Sequence, residues 1–481
     1  MIADLRLIEL VPYLGIPLAL HVIGITVAID AVLHGRSSQA AIAWLLGLAF
    51  MPYLFLPAYL LIGFRRLDGY TDARRAGDAA IHHLGDGLLQ QLEGVTWIDR
   101  EHGEPEQTLT RLARLPLMRG NSCDLLLNGE ATFESMFSGI ANAQQTVLVQ
   151  FYTVRDDGIG RRLHDALCRC ADRGVRVYLL LDRVGSYGLS RKYVRSLRRA
   201  GVEVAWFTTG RGWWLHRFRV NFRNHRKIVV VDGKRAWIGG HNIGDEYVGK
   251  KRRLSPWRDT HLALAGPIAL AAQLVFVEDW HWATDDVLAL DWVPRLQPAN
   301  QSLLLLPTGP ADTNQAAQLA LVQAIMAAQK RLWVSTPYFV PDEAVQAALV
   351  LAAARGVDVR LLVPASADHY VVHWAGESYL GEMAAAGVRV GEYQKGFIHQ
   401  KLWMVDDHVA SVGSLNWDNR AIHLNFEISV ILPEVGQVEE LAACFEQDWQ
   451  GVSERSAAYF QKMSWLRRLR NRLCRLASPL L

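Results

Sequence analysis

The stretch Asn224-His225-Arg226-Lys227-Ile228-Val229-Val230-Val231-Asp232 decides how this chain is read, because Ile398-His399-Gln400-Lys401-Leu402-Trp403-Met404-Val405-Asp406 repeats its pattern. Both have the form His-x-Lys-x-x-x-x-Asp. The apolar run in each copy predicts a buried strand, and side chains two apart on a strand share a face. Each copy is therefore expected to offer one imidazole beside one ammonium. Asp232 and Asp406 fall beyond the end of that face and are expected to make structural hydrogen bonds or ion pairs.

The residues that follow make coincidence a poor explanation. Gly239-Gly240-His241-Asn242 trails the first copy and Gly413-Ser414-Leu415-Asn416 the second, and the offset from His to Asn is 17 in both. An acid comes later in each, Asp259 in Trp257-Arg258-Asp259 and Glu427 in Asn425-Phe426-Glu427. The duplication is wider than the motifs. Ala143 to Tyr152 answers Ala328 to Tyr338, and Arg173-Gly174-Val175 with its apolar run to Leu181 answers Arg355-Gly356-Val357 to Val363. Each segment reads as a helix end, a stop and a buried strand, so two α/β repeats should face each other across a shared site.

With its two His-Lys-Asp motifs and their trailing Asn, the chain resembles the phospholipase D superfamily, and most closely its bacterial cardiolipin synthases. The resemblance runs from about Leu125 to about Pro433. It implies a fold of two phospholipase D-like repeats, a pseudo-twofold pair of mixed sheets flanked by helices, behind an N-terminal transmembrane helical hairpin. The catalytic set it implies is His225, Lys227, Asp232, His399, Lys401 and Asp406, with Lys227, Lys401, Asn242 and Asn416 on the substrate phosphate and Asp259 and Glu427 orienting the histidines. It further implies a ping-pong transfer through a phosphatidyl-histidine, with His225 as nucleophile and His399 as acid and base; the motifs by themselves do not order the two. Phosphatidylglycerol and cardiolipin are the implied partners, with no cofactor and no metal.

The residue types suit that chemistry independently. Displacing an alcohol from a phosphodiester needs a nucleophile, a proton for the leaving alkoxide, and positive charge around the phosphoryl oxygens. Histidine, with an ordinary pKa near 6.5, can serve as base or acid, and two lysines supply charge. A buried lysine without an anionic partner or ligand is costly, so two in matched settings point to a site. No His/Cys cluster has metal-ligand spacing, and no Gly-rich loop ends in Lys-Ser/Thr. His82, His83, His164 and His408 match nothing in the motif pattern and read as ordinary packing or solvent-facing residues.

A chain of 481 residues, 51% hydrophobic, is too long for one ordinary core and leans toward membrane contact. A net charge of +3 is too small to argue for nucleic acid, so a nuclease, which would use the same double motif in a basic groove, is disfavoured. Cys123, Cys168, Cys170, Cys444 and Cys474 are odd in number and lack C-x-x-C pairing, which fits a reducing compartment.

Val11 to Ile29 and Ala40 to Phe64 are each apolar and long enough for a bilayer span. The second follows too soon for the first to read as a signal peptide. Arg65, Arg66, Arg74 and Arg75 crowd the far end of the second span, while the connecting loop holds only Arg36. By the positive-inside rule the catalytic region should be cytoplasmic, in a multi-pass protein of the bacterial inner membrane.

The expected division is residues 1–64 for two transmembrane helices, 65–120 for a juxtamembrane connector, 121–295 and 296–455 for the two repeats, and 456–481 for a basic amphipathic tail. In that tail Leu469, Leu473 and Leu476 stand at helical spacing against five arginines, as in a helix on an anionic leaflet. The Trp- and Arg-rich stretch Gly210–Arg219, Lys250 to Arg253, and His369 to Trp374 are further candidates for the mouth of the site. The alternatives to cardiolipin synthesis from two phosphatidylglycerols are phosphatidylethanolamine as co-substrate, or water, which would make a phospholipase D.

Overall fold

A computed structural model describes residues 2–34, 38–63, 104–208, 222–251, 253–312 and 314–481, with isolated positions between 85 and 92. The arginine cluster after Phe64, most of the 65–120 connector, His82, His83 and the stretch Gly210–Arg219 lie outside the described residues. The chain divides into two compact units, Met1–Asp72 with Thr208–Phe222, and Ala73–Phe207 with Arg223–Leu481.

In the first unit one helix runs Ile2–His34, and its Gly15–His34 portion is long and apolar enough to cross a membrane. The second expected span is apolar throughout but comes in pieces: a helix Ser38–Phe50, a helix Pro52–Ala58 and a π-helical turn Tyr59–Gly63. The break falls at Met51, whose φ of −136° and ψ of 55° are non-helical, because Pro52 crowds the residue before it out of the α region. Ala28 and Ala31 pack against Leu48, Leu56 and Tyr59. At Gly24 any side chain would meet the Leu48 carbonyl oxygen at 2.4 Å, so a small residue sets how closely the backbones approach. Tyr59 donates to Asp30 at 2.8 Å.

The second unit is α/β. Its first half contributes β1 (Met118–Leu127), β2 (Thr146–Phe151), β3 (Arg176–Asp182), β4 (Glu203–Phe207), β5 (Arg223–Asn224), β6 (Ile228–Val231), β7 (Arg235–Gly239), β8 (Trp257–Arg258) and β9 (Thr260–Ala265). The second half contributes β10 (Gln301–Thr308), β11 (Arg331–Ser335), β12 (Phe339–Val340), β13 (Asp358–Pro364), β14 (Arg389–Tyr393), β15 (Phe397–Ile398), β16 (Leu402–Val405), β17 (Val409–Gly413), β18 (Trp417–Asp418), β19 (Asn425–Leu432) and β20 (Val452–Glu454).

The order β14-β13-β11-β16-β17-β19-β10 in one half mirrors β4-β3-β2-β6-β7-β9-β1 in the other, so the duplication seen in sequence is a duplication of fold. Each half is mixed. β2, β3 and β4 are parallel, whereas β2, β6, β7 and β9 are antiparallel. The halves do not stand as two separate sheets. Antiparallel pairing of β1 with β10, Met118 opposite Leu303 and Asn121 opposite Gln301, fuses them into one continuous sheet. Between the halves runs the helix Pro267–Thr284, buried on nearly every side, as its apolar residues, spread all round the helix, require.

One expectation needs correction. β6 and β16 begin only after the motif lysines, so His225-Arg226-Lys227 and His399-Gln400-Lys401 are not ladder residues. β5 pairs with β19 and β15 with β8, strands of the opposite half, while β6 and β16 pair within their own halves. The chain changes partner within three residues, which interrupts the ladder there.

The tail helix Trp465–Arg475 has Ser464 capping the Arg467 amide, and three of its five arginines turn onto the helix Tyr370–Ala385. Arg467 and Arg470 reach Glu377, and Arg475 reaches Glu382.

Candidate active site

Each motif histidine is presented by a two-residue strand that pairs, in parallel, with the start of the acid-bearing segment of the opposite half. Asn224 stands opposite Phe426, and the His225 amide donates to the Phe426 carbonyl at 2.9 Å. Ile398 stands opposite Arg258, and the His399 amide donates to the Arg258 carbonyl at 2.7 Å. The next residue on each partner is the acid. His225 Nδ1 therefore lies 2.9 Å from both carboxylate oxygens of Glu427, and His399 Nδ1 lies 2.8 Å from Asp259 Oδ2. The carboxylates serve crosswise.

The acids are held in turn. Ser414 Oγ donates to Glu427 Oε2 at 2.5 Å, and Asn425 Nδ2 to Oε1 at 3.0 Å. Gly240 occupies the position equivalent to Ser414, and a Cβ there would stand 2.1 Å from Asp259 Oδ1. A second layer fixes the motif backbone. Asp279 accepts from Arg226, Asn224 and Gln150, and Asp448 accepts from Arg258 and Gln400. In one half the arginine lies between His and Lys; in the other it precedes the acid. Both reach an aspartate of the same kind.

Burial would raise both carboxyls, but the facing histidines, their Nδ1 hydrogen bonds and the nearby lysines outweigh it and hold Asp259 and Glu427 below the ordinary carboxylate range. An ionised carboxylate on Nδ1 requires the proton there, which leaves Nε2 of each imidazole as the unprotonated nitrogen. Burial, with added repulsion from the lysines, pushes His225 and His399 down to about 4. With no anion bound, both rings are neutral at pH 7.

Lys227 is fully buried, and its Nζ donates to the His225 carbonyl at 2.5 Å. Lys401 Nζ lies 2.9 and 3.1 Å from the two ring nitrogens of His399 and donates to that residue's carbonyl. Burial lowers Lys227 well below its ordinary range and Lys401 to about 8. Such a site favours an anion, whose charge would restore the protons that burial disfavours.

His225, His399, Asn242 and Asn416 line one cavity of about 460 Å³. Asn242 is fixed by the Thr153 amide at 3.2 Å and by Tyr247 Oη at 3.0 Å. Lys251, His369 and Val372 also line the cavity, so two of the three stretches singled out for the mouth reach it. Asp232 and Asp406 do not. Asp232 accepts from the amides of Gln144, Gln145 and Thr146, and Asp406 from those of Gln329, Lys330 and Arg331, all between 2.7 and 3.3 Å. Among the described residues no three His, Cys, Asp or Glu side chains converge as a metal-ligand set.

Several lining residues had not been singled out in sequence. Tyr152 packs edge-on to His225 at 5.0 Å between centroids, and Trp257 lies against His399 at 4.9 Å. Tyr247, Tyr338, Arg223 and Arg420 share the wall. A signal existed for two of them, since Tyr152 and Tyr338 close the matched segments of the duplication.

The sequence profile described as "Cardiolipin synthase, PLD-like domain" matches residues 136–253 and 321–449, one stretch in each half. Cardiolipin synthase A of Pseudomonas aeruginosa is 44% identical over 477 residues, spanning 98% of this chain and 96% of the relative. The chain belongs to the phospholipase D-like cardiolipin synthase family. It is an enzyme of the phosphatidyltransferase type. Cardiolipin synthase A of Pseudomonas fluorescens is 43% identical over 470 residues, covering 96% of this chain and 97% of that one. Among solved structures, phosphatidylserine synthase of Haemophilus influenzae superposes with a TM-score of 0.61 at 15% identity, over 79% of this chain and 100% of that one. Polyphosphate kinase of Porphyromonas gingivalis reaches 0.50 at 13% identity, over 70% and 49%. At those identities the two likenesses concern the cardiolipin synthase fold alone.

Proposed function

We propose that this enzyme makes cardiolipin, moving the phosphatidyl group of one phosphatidylglycerol onto a hydroxyl of a second and releasing glycerol. The observation that carries this reading is the crosswise pair of imidazoles, each with Nδ1 held by a carboxylate and both lining one cavity. A protein that crosses or touches a bilayer concentrates both lipids at that cavity.

In the first half-reaction His225 Nε2 attacks phosphorus and the P–O bond to glycerol breaks. His399, protonated once the anionic phosphodiester is bound, gives its proton to the departing oxygen. In the second half-reaction His399 takes a proton from the incoming hydroxyl, whose oxygen displaces His225 from phosphorus. Lys227, Lys401, Asn242 and Asn416 offset charge on the phosphoryl oxygens. Glu427 and Asp259 keep each Nδ1 protonated and steady the imidazolium that forms. Asp232 and Asp406 support the motif strands. No step calls for a metal or cofactor.

Tyr152, Tyr247, Leu254 and Trp257 on the wall favour a lipid glycerol and acyl root over bulk water, and so transfer over hydrolysis. In this reading the first helix and the broken second segment both enter the inner membrane, with the catalytic unit on the cytoplasmic side. The purified protein, given phosphatidylglycerol and phosphatidylethanolamine with distinct isotopes, is expected to yield cardiolipin labelled only from phosphatidylglycerol, with one glycerol per cardiolipin. Ethanolamine-derived label in the product would replace the acceptor, and phosphatidic acid as sole product would replace the transferase.

A further inference from the structure

The C-terminal helix is mounted with its charges in and its apolar side out. Trp465, Leu466, Leu469, Leu473 and Leu476 are 47–78% exposed. The opposite side carries Arg467 and Arg470 onto Glu377, where Asn471 also donates at 2.8 Å. Arg470 stacks on Trp374 at 4.3 Å and Arg475 on Tyr379 at 4.0 Å. Rolling the helix to hide its leucines would break these contacts and strand Glu377, which is 5% exposed. The exposed apolar arc is therefore fixed by the ion pairs behind it.

Two observations say what covers it. Arg468 and Arg472, both exposed, flank the arc four residues apart, so it presents tryptophan and leucine edged by cations, the pattern of a helix lying in an anionic leaflet. The chain then leads from Leu476 to Leu480 and Leu481, which line the cavity, and the Arg420 guanidinium holds the Leu480 carbonyl at 2.9 Å. Exposed Tyr370 and Val371 sit next in sequence to the lining residues His369 and Val372. Apolar surface thus continues to the rim.

We propose that the helix Trp465–Arg475 lies in the leaflet on its tryptophan and leucine face and seats the cavity mouth on lipid, with Arg468 and Arg472 on the headgroups. This rests on the phosphatidyltransferase reading but is tested apart from it. The full chain is reconstituted in phosphatidylglycerol nanodiscs containing phosphatidylglycerol with a diazirine in its acyl chain, irradiated, and its peptides mapped by mass spectrometry. Adducts are expected on Trp465 to Leu476.

In parallel, Leu469→Glu with Leu473→Glu is assayed on bilayer phosphatidylglycerol and on a short-chain, monomeric form. Turnover in the bilayer should fall about tenfold or more, while the monomeric substrate reacts within about twofold of wild type. Helix peptides without adducts, or equal turnover of variant and wild type in the bilayer, would overturn the proposal. A wild type inactive on both substrates would instead sink the transferase reading, and the adduct map would still report on the helix.

Discussion

Glu427 holds the imidazole of His225 from 202 residues along the chain, each carboxylate oxygen 2.9 Å from Nδ1. Asp259 does the same for His399 across 140 residues. Neither half can orient its own histidine, so the two halves are functional only together. Glu427→Gln and Asp259→Asn keep the shape and lose the charge. Each is expected to lower kcat by about 10²- to 10⁴-fold with little change in KM. A rise in KM alone would assign the acids to substrate binding.

Asp232 and Asp406 each accept three backbone amides from the turn that opens a neighbouring strand. Asp232→Ala and Asp406→Ala should each cost about 2–4 kcal/mol of stability, since amides lose a charged acceptor. Turnover per folded molecule should stay near wild type. Thermal melting and activity normalised to the folded fraction separate these outcomes, and a folded but inactive Asp232→Ala protein would return that aspartate to the chemistry.

The lysines should behave oppositely. Lys227 and Lys401 are buried, and burial lowers both from their ordinary range. Replacing either by Met removes positive charge that the phosphoryl oxygens need, so turnover should fall by at least about 10²-fold in a protein that still folds. A variant that is destabilised and still active would contradict this assignment of charge to the reaction.

The histidines also set a pH dependence for stability. His225 and His399 titrate near 4 in the folded site against an ordinary 6.5, so the unfolded chain binds more protons between those values. Stability is fully present above 6.5 and is lost as pH falls toward 4, by about 3 kcal/mol per histidine. Melting in detergent at pH 7 and pH 5 should show the lower value at pH 5, and the gap should narrow in a His225→Ala, His399→Ala double variant. A gap of the same size in that variant would locate the acid sensitivity elsewhere.

Much of this was legible in the sequence. The two motifs, the shared 17-residue offset to Asn242 and Asn416, and the matched strand segments gave the duplication, the fold and the candidate residues. The crosswise pairing was not legible, because it depends on the register of β5 against β19 and of β15 against β8, set by packing between distant segments. The departure of His225 and His399 from a regular strand follows from the same partner change. What anchors the C-terminal helix was hidden for a related reason. Arg467, Arg470 and Arg475 look solvent-seeking until Glu377 and Glu382, some 90 residues earlier, are seen beneath them.

The central claim is that two imidazoles flank one phosphorus atom. A crystal structure with vanadate, which adopts the geometry of a phosphoryl group in transfer, tests it most directly. The account predicts vanadium bonded to Nε2 of one of His225 and His399, with Nε2 of the other within hydrogen-bond distance of a vanadate oxygen. Vanadate held by only one of the rings, or bound outside the cavity they line, would contradict it.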